Sequence, residues 1–213
     1  MLSAALHQQI SHQKVLPVLV LDNNEQARVL ADCLLEFQLN AIEITLRTPE
    51  ALNVIEFLAT NYPELIVGAG TITSAEQLQA VQQSGAQFAL SPGATESLLQ
   101  AGQQAEIGFI PGIMTPSEAM LAQSYGYSLL KLFPAEVSGG CALLKALGAP
   151  LSELNFCPTG GISVKNLAQY LALDNVPVVG GTWLAPIDQI RQQNWKQIRD
   201  NMLQLQAILT DLN

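Results

Sequence analysis

AIEITLRTPEALNVIEFLATNYPELIVGAG (41–70) carries the pattern that decides the fold: a short apolar run, AIEITL (41–46), then a segment of helical periodicity, then a second short apolar run, LIVGAG (65–70). Strand, helix and strand in that order build parallel sheets, because parallel neighbours need a crossover that returns the chain to the same end. The alternation extends in both directions. Apolar runs recur at VLPVLVL (15–21), QFALS (87–91), IGFIPG (107–112), SLLKLFP (128–134), LNFCPTG (154–160) and VPVVGG (176–181), which makes eight strands with the two above. The segments between them open with capping residues: Ser74-Ala-Glu-Gln, Thr115-Pro-Ser-Glu, and Asp188 ahead of the last helix, where a side-chain oxygen satisfies free amides. Eight strands joined by right-handed helical crossovers are best satisfied by a closed (β/α)8 TIM barrel, with an open doubly wound sheet as the alternative. At 213 residues this is one domain spanning 1–213, compact beside the typical ~250, with residues 1–13 as an extra N-terminal helix closing the bottom. No internal sequence repeat is found.

Composition narrows the function classes. Apolar residues make up 49% and charged residues 13%, about half the roughly 25% usual for soluble domains, so part of the surface is expected to be covered by other subunits. The net charge of −9, with no basic cluster, argues against a nucleic-acid partner. No run approaches the ~18 apolar residues of a membrane span, and the N-terminus lacks a signal peptide's apolar segment, so a cytoplasmic location is expected. Cys33, Cys141 and Cys157 lack metal or disulfide spacing and read as reduced thiols in apolar surroundings.

Polar residues interrupt the strands at particular places. In AIEITLR, Ile42, Ile44 and Leu46 share one face, and Glu43, Thr45 and Arg47 the other. The polar set faces the barrel interior, where an unpaired carboxylate costs several kcal/mol, so Glu43 needs a partner or a function. Arg47 lies roughly 13 Å further along an extended strand and must curl back to reach the same pocket. In SLLKLFP, Lys131 shares a face with Leu129 and Phe133, in a chain with four other lysines. Burial disfavours its ammonium and yields the free amine that attacks a ketone, which is Schiff-base chemistry. The plain structural alternative is a buried lysine–glutamate pair.

Two diglycines follow the last strands, in Pro158-Thr159-Gly160-Gly161-Ile162 and Gly180-Gly181-Thr182-Trp183. Loops after strands 7 and 8 of such barrels often hold phosphate, because glycine lets backbone amides approach and a following helix favours negative charge. Thr71 and Pro92 sit after strands 3 and 4, where they either line the mouth or serve as turn residues. The histidines lie near the N-terminus, and no metal-ligand spacing, Ser-His-Asp arrangement or dinucleotide fingerprint occurs, so neither metal nor cofactor is implied.

Together EITLRT (43–48), VGAGT (67–71), LSPG (90–93), IPGI (110–113), KLFPAE (131–136), CPTGGI (157–162) and GGTWL (180–184) resemble the 2-keto-3-deoxy-6-phosphogluconate (KDPG) / 4-hydroxy-2-oxoglutarate (KHG) aldolases over nearly the whole chain. The resemblance implies a class I aldolase with Lys131 as Schiff-base lysine and Glu43 as general acid–base. Arg47 and Thr71 would grip the pyruvate carboxylate, and Pro92 and Phe133 would line the pocket. Thr159 would meet the hydroxyl-bearing carbon, and Gly160, Gly161, Gly180, Gly181 and Thr182 would hold phosphate. It also implies a homotrimer acting on a keto acid and a phosphorylated aldehyde, within the Entner–Doudoroff pathway. Relatives often carry serine at Thr182 and a smaller polar residue at Met114, which gives Met114 a role in specificity. The implied reaction cleaves KDPG to pyruvate and glyceraldehyde 3-phosphate, and KHG to pyruvate and glyoxylate. The alternatives are the galactonate-derived substrate, an isomerase or epimerase using Glu43 as base, and a catalytically silent barrel that binds a sugar phosphate.

Overall fold

The computed structural model describes residues 2–212. Among these described residues it is an α/β fold in which nine parallel strands make a curled sheet surface clothed by ten helices. The strands are β1 (Val15–Leu19), β2 (Ala41–Thr45), β3 (Ile66–Gly70), β4 (Phe88–Leu90), β5 (Gly108–Ile110), β6 (Gly112–Ile113), β7 (Leu129–Leu132), β8 (Asn155–Phe156) and β9 (Val179–Gly181). One sheet runs β5-β4-β3-β2-β1-β9 and the other β6-β7-β8. Two local connections relate them. Thr159 forms a parallel bridge with Gly180, and β5 continues into β6 across Pro111 alone.

The run IGFIPG, expected as one fifth strand, is therefore split. Pro111 has no N–H to give to a ladder, although its carbonyl still accepts the Lys131 amide at 2.9 Å. On the far side of the break, Ser91 Oγ accepts the Gly112 amide at 3.0 Å, so a side chain replaces the missing backbone acceptor.

The strands are buried almost throughout, and their residues alternate between two buried clusters with the period of two that an inner and an outer face require. Leu16, Ala41, Phe88, Leu90, Ile110, Leu129, Cys157 and Val178 form an inner cluster. Their chain neighbours Val15, Ile42, Ala89, Phe109, Leu130, Phe156 and Val179 belong to a larger outer cluster against the helices. Strand β3 departs from this pattern on its inner face, where Gly68 and Gly70 present no side chain. The vacated space is filled from neighbouring strands: Cβ atoms there would stand 2.6 Å from Phe88 Cε1 and 2.6 Å from Glu43 Cδ, respectively.

The helices are α1 (Ala4–His12), α2 (Asn24–Glu36), α3 (Ala51–Asn61), α4 (Ala75–Gln83), α5 (Glu96–Gln104), α6 (Pro116–Ser124), α7 (Gly140–Gly148), α8 (Leu167–Leu171), α9 (Ile187–Arg191) and α10 (Trp195–Asp211). Ser74 caps α4 as expected, and Thr115 and Glu118 form a reciprocal capping box on α6. Asp188 does not cap the last helix. It lies inside the one-turn α9, because Pro186 already starts that turn, and Asn194 caps α10 through the Gln197 amide. At the other end of the chain, Ile10 of α1 joins the inner cluster, with Leu2 and Leu6 packed against it. Among the described residues, no helix is long and apolar enough to cross a membrane.

Candidate active site

Strand β2 turns Glu43 inward between the outward-facing Ile42 and Ile44, and β7 does the same for Lys131 between Leu130 and Leu132. The two side chains meet. Lys131 Nζ donates to Glu43 Oε1 at 3.1 Å and reaches Oε2 at 3.5 Å, with the residues 5% and 0% exposed. Such burial is tolerable only because each charge has the other as partner. Proton transfer along this contact would convert the ion pair into a neutral amine and a carboxylic acid with no change in net charge. The pair is thus equipped both to release a nucleophile and to store its proton.

Around this pair the remaining groups are ordered by the strand ends. The Phe133 ring lies 5.6 Å from Lys131 Nζ, and the peptide bond from Phe133 to Pro134 is cis. Arg47 and Thr71, which follow the neighbouring strands β2 and β3, meet on the exposed side: Arg47 Nε donates to Thr71 Oγ1 at 3.3 Å. Thr71 has φ 64°, a left-handed conformation that a β-branched residue adopts only when its surroundings impose it. Thr159, 3% exposed, follows β8, with its hydroxyl 3.4 Å from the Cys157 carbonyl. Burial pushes the Cys157 thiol up to about 12, which leaves it an inert packing group.

The diglycines come together through the Thr159–Gly180 bridge, supported by a 2.9 Å hydrogen bond from the Gly180 amide to the Pro158 carbonyl. Gly160 and Gly161 both have positive φ, 96° and 84°, a conformation that only glycine takes at little cost. Gly180 is required for space, since a Cβ there would stand 2.9 Å from Thr159 Cγ2. No helix follows either diglycine directly. Residues 162–166 and 182–186 intervene before α8 and α9, which have five residues each, so the helix dipoles expected there are remote and weak. What the loops present instead is close-packed backbone.

A family model described as "KDPG and KHG aldolase" matches residues 6–201, which include every site residue named above. The chain belongs to the KDPG and KHG aldolase family. Members with similar sequences include the 2-dehydro-3-deoxy-phosphogluconate aldolase of Pseudoalteromonas atlantica, 47% identical over 89% of this chain and 88% of that protein. The KHG/KDPG aldolase of Escherichia coli K12 is 46% identical over 86% of each chain. Among solved structures, the KDPG aldolase of Legionella pneumophila, with pyruvate captured as a covalent carbinolamine, aligns with a TM-score of 0.88 and 41% identity. That alignment covers 91% of this chain and 94% of that one.

Several residues that shape this aldolase site were not singled out from the sequence. Gly70 vacates the space that the Glu43 carboxylate occupies. Ser91 ties β4 to the strand break. Thr45, expected on the same inward face as Glu43, donates its hydroxyl to the Leu19 carbonyl at 3.1 Å. The available signal was the inward position of Gly68 and Gly70 in VGAG, one strand period apart and facing the same strand that carries Glu43. Met114 lies after β6 and is 48% exposed. A hollow of about 540 Å³ bordered by Lys145, Ser152 and Asp174 shares no residue with the site.

Proposed function

We propose that this chain is a class I aldolase that joins Lys131 to the C2 carbonyl of a 2-keto acid and cleaves KDPG to pyruvate and glyceraldehyde 3-phosphate. The observation that carries the reading is the dry Lys131–Glu43 pair at 3.1 Å. Glu43 takes a proton from Lys131, and the freed amine adds to C2 to form a carbinolamine. Glu43 then returns the proton to the departing hydroxyl, water leaves, and an iminium results. This cation draws electrons from the C3–C4 bond as Glu43 accepts the C4 hydroxyl proton, and the aldehyde departs. Glu43 protonates C3 of the remaining enamine, and hydrolysis releases pyruvate and the free lysine. Because the iminium is the electron sink, no step requires a metal. The carbinolamine captured in the Legionella relative is the first covalent species of this sequence.

Arg47 and Thr71, already hydrogen-bonded at the mouth, are proposed to hold the substrate carboxylate, with Pro92 and Phe133 lining the channel beside the amine. Thr159 is proposed to meet the C4 hydroxyl, and Gly160, Gly161, Gly180, Gly181 and Thr182 the phosphate. The Thr159–Gly180 bridge supports the last two assignments by setting both diglycines beside Thr159. The same bridge and the β5–β6 continuity favour reading the two sheets as one closed eight-stranded barrel within a single domain, with α1 plugging its N-terminal end through Ile10. Exposed Met114, Met120, Leu121 and Val137 fit faces covered in a homotrimer. A cytoplasmic location suits a phosphorylated substrate.

Turnover of KDPG, KHG and the galactonate-derived isomer, followed by coupled reduction of the released pyruvate, tests the reading. The expected order of kcat/KM places KDPG first. Pyruvate release from none of the three would refute the assignment.

A further inference from the structure

KLFPAE (131–136) ends on an acid that none of these steps uses. The Glu136 amide donates to the Gly160 carbonyl at 3.1 Å, and the preceding Ala135 amide to Thr159 at 2.8 Å, so this segment runs alongside the first diglycine. The Glu136 side chain has two sets of neighbours. Its stem backs Gly161, where an added Cβ would stand 2.6 Å from Glu136 Cβ. Its carboxylate accepts the hydroxyl of Tyr170 from α8. Both groups border Gly140, whose missing Cβ would stand 2.8 Å from Tyr170 Oη and 3.0 Å from Glu136 Oε1. Gly140 is the first residue of α7; its own amide is bonded to the Ala135 carbonyl at 2.9 Å, and the N-terminal end of the helix dipole favours negative charge. Tyr170 is 0% exposed and locked by its packing, so its hydroxyl defines one direction for the carboxylate.

A carboxylate so near a loop that holds a phosphate has two possible effects. Turned toward the loop it repels the ligand, at a cost of about tenfold or more in affinity; held aside, it contributes only its stem. We propose that Tyr170 and Glu136 are a positioning pair for the phosphate end of the substrate: the tyrosine hydroxyl holds the Glu136 carboxylate against the first turn of α7, so that Gly160 and Gly161 are backed by uncharged atoms. The inference rests on assigning those glycines to phosphate. Neither residue touches the reacting carbons, so the pair acts on binding of the phosphorylated end and leaves bond cleavage alone.

The test compares Tyr170→Phe with the double variant Tyr170→Phe/Glu136→Gln, using KDPG and the phosphate-free KHG. In Tyr170→Phe the KM for KDPG rises about tenfold with kcat unchanged, while KM for KHG moves less than twofold. Removing the freed charge in the double variant recovers most of the lost affinity. A merely structural tyrosine would harm both substrates equally and would not be rescued, and either outcome overturns the proposal. An unchanged KDPG KM in Tyr170→Phe does so as well. Should Tyr170→Phe fold poorly, Glu136→Gln alone decides: it keeps the stem and an acceptor, so the KDPG KM stays within twofold, and a tenfold rise refutes the account. Inorganic phosphate separates the two layers of the argument. If it fails to compete with KDPG in the unaltered enzyme, the loop assignment falls and takes the pair with it. If it competes equally in the unaltered enzyme and in Tyr170→Phe, only the pair falls.

Discussion

Replacing Gly70 by alanine should leave a folded protein that has lost its catalyst. The new Cβ would stand 2.6 Å from Glu43 Cδ and 2.7 Å from Cγ, against the 3.5–4.0 Å of an unstrained carbon contact. Gly70 lies in β3 without a positive φ, so alanine suits its backbone and reduces the entropy cost of folding by roughly 0.5–1 kcal/mol. Overpacking costs about 1–3 kcal/mol, and much of it is relieved by moving the far end of Glu43. The net loss of stability is therefore about 1 kcal/mol, a fall in Tm of ~2–4 °C for a chain of this size. Activity responds differently, because the atoms that yield are those facing Lys131 at 3.1 Å. Displacing the proton relay removes a factor of about 10²–10⁴ in kcat. Glu43→Gln shares that loss by chemistry instead of by displacement, and it retains pyruvate binding. The assay is the pyruvate-coupled rate beside a thermal melt. A Gly70→Ala protein with kcat within twofold of the original would refute the placement of Glu43 in the proton path.

Other consequences follow from strain and charge. Thr71→Gly relieves a left-handed β-branched residue and should raise stability by about 1 kcal/mol, while the lost Arg47 partner raises KM for the keto acid several-fold. A melt and a Michaelis curve check the two halves, and a variant that is both less stable and equally active would contradict them. Burial opposes ionisation of Glu118, but the amides of Met114 and Thr115 and the Thr115 hydroxyl outweigh it and hold the carboxyl below its ordinary 4.5. Its folded pKa is thus depressed, so its stabilisation is complete above 4.5 and is lost as pH falls through the folded value. Accordingly Glu118→Gln should melt ~2–4 °C lower at pH 7 and draw level with the original once the pH is below the folded value, whereas a gap that persists there would show that the charge plays no part.

Most of the architecture was legible because the alternation of strand faces and the helix caps are local. Inward Glu43 and Lys131 followed from their outward neighbours, and the capping box at Thr115 from its spacing. The break at Pro111 was visible as a proline but not as an interruption, since its consequence depends on Ser91 arriving from another strand. Asp188 was misplaced as a cap because Pro186 starts a separate short turn before it. In the site, residues that act were recognisable by charge, whereas residues that make room were not. Gly70 and Gly140 matter through what occupies their missing side chains, and that depends on contacts across the fold.

The central claim is a covalent bond between Lys131 and pyruvate. Borohydride reduction of the protein with pyruvate, followed by peptide mass analysis, should place a single adduct on Lys131, and Lys131→Arg should show neither adduct nor turnover. An adduct on Lys14, Lys145, Lys165 or Lys196 instead, or full turnover with no adduct at all, would contradict the account.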